Sequence, residues 1–367
     1  MKVALVHDYL MQDGGAEKVL KIFQELFPEA PTFVLIHDPK KVSKDFLGKD
    51  IRTSFLQKIP LGRRKYQWFL PLMPAAVESY PLNDYDLILS STSMFSKGII
   101  TKPGTLHICY CHTPTRFLWT DCYDYVKELK YPALVKKFLP LVLSRLRVWD
   151  RLSADRVDYF IANSETVQGR IQKYYKRKSQ IIYPPVETDS FSVSSQIGNY
   201  FLAGGRLVSY KRFDLIVKAF NMIGIPLKIF GDGPEFEKLR KNSRKNIEFL
   251  GKISDKEKSE VYSHALAYIH PQEEDFGISA VESMASGRPV IALGRGGALE
   301  TVVEGVTGEF FYEQGWEEIA DHVVRFDPSR YNSAKIRAYA EKFSVSRFKK
   351  EMIDYVDAKW QEFHYQS

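Results

Sequence analysis

The chain has 367 residues, of which 44% are hydrophobic and 26% charged, and its formal net charge is +7 at pH 7. This length exceeds what one hydrophobic core usually serves, so two domains are expected, and no run approaches the ~18 consecutive apolar residues of a membrane-spanning helix. The three cysteines, at positions 109, 111 and 122, are a sparse and odd set that argues against a disulfide scaffold and favours a reducing cytoplasm.

The N-terminal half opens as strand, glycine loop and helix. The apolar run at residues 3–6 predicts a buried strand, a polar loop with Gly14 and Gly15 follows, and apolar residues at helical spacing begin at Val19. This order is the opening of a Rossmann-like unit. Further strands are predicted over residues 32–36, 87–90, 106–111 and 159–162, and helices over residues 134–154 and 165–174.

Two consecutive prolines, Pro184 and Pro185, interrupt the pattern, and a polar stretch follows them, so residues 181–199 are predicted to form a linker. The second half then resumes the alternation. Strands are predicted over residues 200–203, 227–230, 247–250, 267–270 and 290–293, and helices over residues 214–222, 235–242, 255–263, 278–285 and 347–363. Alternating strands and helices in both halves predict an α/β fold with two parallel sheets covered on both faces.

The strongest chemical signal is the segment from Glu273 to Glu282, which follows a predicted strand and runs into a predicted helix. Glu274 is expected in the loop at the carboxyl end of that strand, where open α/β sheets bind ligands. Gly277 and Ile278 are expected to offer free backbone N–H groups at the helix start, an arrangement that binds phosphate. Glu282, about one helical turn further on, is placed to reach a ribose hydroxyl pair. The alternative is a surface loop with two solvated acids.

Three segments together resemble family 4 of the retaining glycosyltransferases. They are the Glu-x7-Glu pattern from Glu274 to Glu282, the segment Gly231-Asp232-Gly233-Pro234, and the segment Gly296-Gly297-Ala298-Leu299-Glu300. The resemblance is clearest over residues 200–310 and weaker in the N-terminal half. It implies the GT-B fold, in which two Rossmann-like domains with parallel sheets face a central cleft.

In that fold, residues 1–187 are expected to form the acceptor-side domain and residues 198–345 the nucleotide-sugar-binding domain. The final helix, residues 346–364, is expected to return to the first domain. The resemblance further implies that the donor binds between the domains and that they close on it about hinges at residues 185–199 and near residue 344.

The resemblance also assigns roles to single residues of the second domain. Arg206 and Lys211 match the basic pair that holds the donor diphosphate, where fixed cations stabilise the charge of the leaving group. Glu274 matches the acid that contacts the hydroxyls of the donor sugar, and Glu282 matches the ribose ligand. The donor site is completed by the loop residues Asp275, Phe276, Gly277 and Ile278. Without the resemblance, the basic pair could equally be solvated surface charges.

In the first domain, Gly14 and Gly15 match the glycine loop of the family, which must approach the donor without a side chain. As a lone glycine pair they could form an ordinary turn. His112 lies in the segment Cys109-Tyr110-Cys111-His112-Thr113-Pro114-Thr115-Arg116, just after an apolar strand. It matches the histidine that lines the sugar pocket of the family, although a histidine at a strand end is usually structural.

Neither a metal nor a cofactor is expected. Cys109, Cys111 and His112 could suggest zinc, but tetrahedral zinc needs four ligands and no fourth is evident nearby. Asp84-Tyr85-Asp86 has the Asp-x-Asp form by which other glycosyltransferases hold a metal. Because it directly precedes a predicted strand, we interpret it as a turn entering the sheet. Cationic side chains and helix dipoles then replace the divalent ion at the diphosphate.

The predicted activity is the retaining transfer of a hexose, with His112, Glu274, Arg206 and Lys211 as the catalytic set. The amino-acid sequence of residues 274–278 is most similar to that of bacterial mannosyltransferases that use GDP-mannose in surface-polysaccharide synthesis. UDP-sugars stay open as donors. The acceptor is expected to be a glycan or a lipid-linked saccharide. A basic nucleic-acid-binding protein is the alternative from another class, but no nucleic-acid motif is present. A nucleotide-sugar epimerase would need acids and bases at the sugar C2, and none is identified.

Positive charge is concentrated in the first half of the chain. Residues 1–185 contain 28 Lys and Arg against 18 Asp and Glu, and the remainder contains 24 against 27. Residues 58–72 place the segment Arg63-Arg64-Lys65 beside Trp68-Phe69-Leu70, and residues 131–149 repeat this mixture of cations and large apolar side chains. Such segments can lie at an anionic membrane surface, or they can be packed helices with a solvated basic face. A cytoplasmic enzyme with peripheral membrane contact is therefore expected.

Overall fold

The computed structural model describes residues 1–122 and 133–365. The chain divides into two compact units: the first contains Met1–Pro184 and Lys349–Ser367, and the second contains Pro185–Phe348. Each unit has its own parallel sheet with associated helices, so the α/β class predicted from the alternating pattern is confirmed. Among the residues described, no helix is both long enough and apolar enough to cross a membrane.

The first unit contains a seven-stranded sheet in the order β3-β2-β1-β4-β5-β6-β7, paired in parallel throughout. Its strands are β1 (Val3–His7), β2 (Thr32–Val34), β3 (Ile51–Thr53), β4 (Leu87–Thr92), β5 (Leu106–Cys111), β6 (Tyr159–Ala162) and β7 (Ser179–Ile181). The central strands β4 and β5 are buried along their whole length, as is usual in a parallel sheet covered on both faces. The order of the strands reverses between β1 and β4, and such a switch point leaves a crevice beyond the carboxyl ends of the strands.

Between residue 1 and Pro184, the described residues of the first unit form the α-helices α1 (Gly15–Leu26), α2 (Met73–Glu78), α3 (Ala133–Ser153) and α4 (Glu165–Arg170). On α1, Val19, Leu20 and Phe23 are buried, which confirms the predicted apolar face. The helix predicted over residues 134–154 is found as α3. The start of the predicted membrane segment at Tyr131 lies outside the described residues.

The second unit contains a six-stranded parallel sheet in the order β10-β9-β8-β11-β12-β13. Its strands are β8 (Phe201–Gly204), β9 (Leu227–Phe230), β10 (Ile247–Gly251), β11 (Tyr268–His270), β12 (Val290–Leu293) and β13 (Gly308–Phe311). Its helices are α5 (Phe213–Ile223), α6 (Phe236–Lys241), α7 (Asp255–Ser263), α8 (Ile278–Ala285), α9 (Ala298–Thr301), α10 (Trp316–Arg325) and α11 (Ser333–Ala340). The strand order reverses between β8 and β11, so the switch point of this sheet lies between these two strands.

The last helix, α12 (Val345–Tyr365), is shared by the two units, since its residues belong to the first unit from Lys349 onward. Within the first unit, Lys349 forms an ion pair of 2.7 Å with Glu25 at the end of α1. The ammonium group of Lys359 lies 4.5 Å from the ring centre of Tyr159 on β6. These contacts attach α12 to both a helix and a strand of the first unit.

The differences from the sequence prediction have local causes. Strands β3, β7 and β13 were not predicted. β3 and β7 each have only three residues, with partly or fully exposed side chains and no apolar run. In β13 only the pair Phe310 and Phe311 is apolar. The predicted linker accordingly begins inside β7. The helix predicted over residues 165–174 ends at Arg170 as an α-helix and continues as a π-helical turn, Ile171–Tyr175, that Lys176 ends in the left-handed conformation with a φ of 55°.

A buried ionic cluster ties the loops beside β4 and β5 to α3. Asp150, on α3, is fully buried. One of its carboxylate oxygens accepts hydrogen bonds from Lys97 at 2.5 Å and from Thr115 at 2.7 Å. The other accepts from Trp119 at 2.8 Å and from Tyr175 at 3.0 Å. Because both carboxylate oxygens are satisfied, the cluster fixes the chain that follows His112 at the end of β5.

Replacing Lys97 by Met should destabilise the first unit by about 3–5 kcal/mol, because the Asp150 carboxylate would stay buried without its cation. Urea unfolding followed by tryptophan fluorescence measures this, since Trp119 and Trp149 both contact the cluster. The exposed Lys102 supplies a matched control, and Lys102→Met should change the free energy of unfolding by no more than about 0.5 kcal/mol. Equal unfolding transitions for Lys97→Met and the wild type would show that the buried pair makes no net contribution.

Candidate functional site

The second unit collects polar side chains at its switch point. The loop that follows β8 contains Arg206 and Lys211, and the loop that follows β11 contains Glu274 and leads to Gly277 at the start of α8. Because β8 and β11 are neighbouring parallel strands, their carboxyl ends meet at one edge of the sheet. The fold therefore brings two loops together that are more than 60 residues apart in the sequence.

Lys211 and Glu274 form the centre of this site. The Lys211 ammonium group lies 2.8 Å from a Glu274 carboxylate oxygen, and the two side chains are only 12% and 18% exposed. Burial acts to raise the pKa of Glu274, but the charge and hydrogen bond of Lys211 outweigh it and lower this pKa below its ordinary value. Burial likewise acts to lower the pKa of Lys211, yet attraction to Glu274 raises it. Both groups are therefore charged at neutral pH.

Two residues that the sequence analysis did not single out support Glu274 from below. Gln272 donates a hydrogen bond to the Glu274 carboxylate, and its amide nitrogen lies 3.2 Å from Nδ1 of His270. Burial lowers the pKa of His270 to about 4, so its imidazole is neutral at pH 7. Their position at the end of β11, just before the glutamate motif, was the available signal, but neither residue type is diagnostic there.

The start of α8 supplies backbone N–H donors beside the Lys211 ammonium group. Gly277, the residue before the helix, has a φ of +92°, and no side chain caps the first turn. The first N–H groups of an α-helix have no partner within the helix and favour an anion. A Cβ atom on Gly205 would lie 3.4 Å from the Lys211 nitrogen and 4.0 Å from the Ser279 hydroxyl. The Lys211 ammonium and the first turn of α8 therefore flank the same short stretch of glycine backbone.

Glycines also hold the loops of the site against one another. Gly231, after β9, has a φ of +113°, and any side chain on it would overlap the carbonyl of Gly205. The Gly297 N–H donates to the Glu274 carbonyl at 2.8 Å, and a Cβ atom on Gly296 would lie 2.6 Å from that oxygen. The glycine motifs that accompany the glutamate pattern thus fix the backbone on which Glu274 stands.

Glu282 lies one turn into α8 and is only 2% exposed. Its carboxylate is 2.5 Å from the ammonium group of Lys258 on α7. Sequence reasoning missed Lys258 because a lone lysine on a polar helix carries no signal of its partner. The remaining predicted residues lie nearby in sequence: Arg206 is exposed, and Phe276 is buried against Phe343 with ring centres 5.4 Å apart.

The first unit holds the predicted residues Gly14, Gly15 and His112 at the carboxyl ends of β1 and β5. Gly14 precedes α1 in an extended conformation, and both glycines are partly exposed. His112 is partly buried, and its Nε2 lies 2.8 Å from the hydroxyl oxygen of Ser91. Burial, reinforced by His7, lowers the pKa of His112 to about 3, so the ring is neutral at pH 7.

The residues considered for metal binding have other roles in the structure. Asp86 accepts a hydrogen bond of 2.7 Å from the backbone N–H of Lys2, which joins the start of β4 to β1. Cys109 and Cys111 are fully buried, and burial raises the pKa of the Cys109 thiol to about 12. Within residues 1–122 and 133–365, no group of three or more His, Cys, Asp or Glu residues is placed to hold a metal ion.

Each of the two units matches a known protein family. Residues 187–343 match the family described as Glycosyl transferases group 1, and residues 14–190 match Glycosyltransferase Family 4. The chain is 29% identical over 167 residues to an uncharacterized glycosyltransferase of Methanocaldococcus jannaschii, covering 44% of this chain and 47% of the relative. It is 34% identical over 105 residues to a GDP-mannose-dependent alpha-mannosyltransferase of Corynebacterium glutamicum, covering 28% of this chain and 25% of the relative. The matched segments thus span about half or less of these relatives.

The architecture is similar to that of HepE from Anabaena, which was crystallised in complex with UDP. The TM-score is 0.72 at 17% identity, and the match covers 98% of this chain and 100% of HepE. At this identity the likeness concerns the fold, which here consists of two parallel sheets with associated helices. The two family matches together extend from residue 14 to residue 343. The chain therefore belongs to glycosyltransferase family 4 and has the GT-B fold.

Proposed function

We propose that this glycosyltransferase transfers mannose from GDP-mannose, with retention of the anomeric configuration, to a glycan or a lipid-linked saccharide. The observation that carries the proposal is the half-buried Lys211–Glu274 pair beside the uncapped first turn of α8. A cation and a helix start that flank one glycine backbone suit a diphosphate. A carboxylate held in the same cluster suits the hydroxyl groups of a sugar attached to that diphosphate.

The donor roles follow from the charges of the site. As the bond between the sugar C1 and the diphosphate breaks, the leaving oxygen gains negative charge, which Lys211, Arg206 and the α8 N–H groups stabilise. Glu274 accepts hydrogen bonds from the sugar hydroxyls, and Gln272 keeps its carboxylate oriented. Glu282 binds the ribose hydroxyl pair while sharing its carboxylate with Lys258. Residues 275–278 line the phosphates with backbone groups.

Retention is attributed to attack on the same face from which the diphosphate leaves. The acceptor oxygen forms a bond to the sugar C1, the bond from C1 to the phosphate oxygen breaks, and that oxygen takes the acceptor proton. This sequence needs no protein nucleophile and no divalent ion, since fixed cations and helix N–H groups face the leaving group. His112, in the first unit, contacts the sugar.

Two observations bear on the donor. The relative from Corynebacterium glutamicum is described as GDP-mannose-dependent, and the wording of residues 274–278 is most similar to mannosyltransferases, which favours GDP-mannose. The HepE structure contains UDP, so a UDP-sugar is the competing donor. The affinities for GDP and UDP must therefore both be measured to determine which base the donor site prefers.

Replacing Lys211 by Ala should weaken GDP binding by about 1.5–3 kcal/mol, the range for hydrogen bonds to charged groups. Isothermal titration calorimetry with GDP and, in parallel, UDP measures this loss and shows which base binds more tightly. Lys241→Ala removes an exposed lysine of the same unit and should leave both affinities unchanged. If Lys211→Ala binds as tightly as the wild type, Lys211 is not a diphosphate ligand.

Transfer itself should occur in excess EDTA at a rate within about twofold of the untreated enzyme, because the leaving group is stabilised by Lys211, Arg206 and α8. The assay uses GDP-mannose or UDP-glucose with octyl glycosides as acceptors, and NMR of the product assigns its anomeric configuration. An α-mannoside is the expected product. Loss of turnover in EDTA with recovery on adding magnesium or manganese would contradict metal independence, and an inverted product would contradict retention.

We further propose that the first unit contacts an anionic membrane, and one of its surfaces supports this contact. Leu61, Trp68 and Leu72 are 58%, 56% and 44% exposed, and Lys65 lies 5.4 Å from the centre of the Trp68 ring. The segment Arg63-Arg64-Lys65 stands within this apolar set. On α3, Phe138 and Leu141 are 60% and 59% exposed beside the basic residues of the same helix. Cations next to exposed aromatic and aliphatic side chains are typical of proteins that bind anionic bilayers.

Changing Arg63, Arg64 and Lys65 together to Glu should abolish sedimentation with vesicles that contain anionic lipid, since each cation near such a surface contributes about 1 kcal/mol. GDP affinity should be unchanged, because the nucleotide residues lie in the second unit. The matched control changes the exposed residues Lys102, Lys173 and Lys178 to Glu, which shifts the net charge equally. Equal sedimentation of the first triple variant and the wild type, or none with the wild type, would remove the membrane from the proposal.

A further inference from the structure

Four polar side chains of the first unit, three of them buried and one partly buried, form a series of contacts beneath the glycine loop. His7 ends β1, Ser91 lies near the end of β4, His112 follows β5, and Glu17 is in the first turn of α1. Nδ1 of His7 lies 3.1 Å from the Ser91 hydroxyl, and Nε2 of His112 lies 2.8 Å from the same oxygen. Nε2 of His7 lies 3.9 Å from the Glu17 carboxylate. None of these contacts is local in sequence except that of β1 with α1.

Because most of these side chains are buried, their polar atoms face one another rather than solvent. His7 is 3% exposed, Glu17 is 2% exposed and Ser91 is fully buried. The second carboxylate oxygen of Glu17 is buried and has no hydrogen-bond partner among the residues that the structure describes. A Cβ atom on Gly14 would lie 3.1 Å from that oxygen. The carboxylate therefore lies directly under the backbone of the glycine loop, with Nε2 of His7 at 3.9 Å from its other oxygen.

The number of available protons limits the directions in which the hydrogen bonds at Ser91 can run. A serine hydroxyl has one hydrogen to donate, so the two imidazole nitrogens that face Ser91 cannot both accept from it. At least one ring must therefore donate to the Ser91 oxygen, and the second ring either donates as well or accepts the Ser91 proton. The Glu17 carboxylate, 3.9 Å from Nε2 of His7, favours the tautomer in which a neutral His7 ring holds its proton on Nε2. Nδ1 of His7 is then the acceptor, and His112 must donate from Nε2.

We propose that Glu17, His7 and Ser91 are positioning residues that hold His112 as its neutral Nε2–H tautomer, with Nδ1 presented as an acceptor for a hydroxyl group of the sugar substrate. Charge is not needed on either histidine ring for this role. The lowered pKa of His112 agrees with a ring that stays neutral throughout the physiological range. Contact between His112 and the sugar rests on the proposed function, whereas the tautomer of His112 does not.

The tautomer can be read by NMR on the full chain labelled with ¹⁵N only in histidine. Long-range correlations between ring protons and ring nitrogens distinguish a protonated from an unprotonated nitrogen, and the His112→Gln variant identifies the His112 signals by their loss. In the wild type we expect Nε2 of His112 to be protonated and Nδ1 unprotonated. The reverse pattern would overturn the proposal, because the chain would then run in the opposite direction.

Variants test whether the tautomer is imposed from Glu17. In Glu17→Gln and in Ser91→Ala, the His112 signals should shift toward the Nδ1–H form or toward a mixture of both tautomers. The kcat for sugar transfer should fall at least tenfold in each, with GDP affinity unchanged by calorimetry. Combining either change with His112→Gln should add little further loss, as expected for residues that act as one unit. Glu29→Gln, an exposed glutamate beyond α1, is the control that should change neither signal nor rate.

The outcomes separate this inference from the proposed function. If the His112 signals and kcat of both variants equal those of the wild type while each variant is folded, the positioning role is wrong even in an active transferase. If the wild type has the expected tautomer and Glu17→Gln changes it, but no nucleotide sugar is used, the hydrogen-bond chain stands and the proposed function fails. A fall in kcat without any change of the His112 tautomer would show a merely structural effect and overturn the inference.

Discussion

Both candidate sites depend on one geometric constraint: neighbouring parallel strands end at the same edge of their sheet. In the second unit this brings the loop after β8 to the loop after β11, and in the first unit it brings together the ends of β1, β4 and β5. Side chains that are far apart in the sequence thus become neighbours, because each lies just beyond the end of its strand. The glycines at these edges are the second part of the constraint, since they let the loops approach until only backbone separates them.

The two units use this edge in chemically different ways. In the second unit the centre is a pair of opposite charges, Lys211 and Glu274, each of which offsets the cost of burying the other. In the first unit the centre is a series of two imidazole rings and a hydroxyl group with one carboxylate at its end. The first arrangement suits a charged ligand such as a diphosphate, and the second suits a neutral polyol.

Sequence reasoning reached those features that are written in consecutive residues. The glutamate motif, the glycine segments and the alternation of strands and helices all have a local pattern, and the structure contains each of them. Lys258, His7 and Ser91 were missed because their importance lies in a contact across elements, and a single sequence carries no record of such contacts. Gln272 was missed because its residue type is not diagnostic at a strand end. The edge strands β3 and β7 were missed for another reason: three partly exposed residues give too short a pattern to separate from a loop.

The shared helix α12 has a consequence for the order in which the protein acquires its structure during synthesis. The first unit includes residues from Lys349 onward, and these are made only after the whole second unit has been synthesised. Until then, Glu25 and Tyr159 lack the lysines of α12 that contact them in the finished chain. The N-terminal sheet must therefore wait, incompletely covered, for more than 160 residues of later translation.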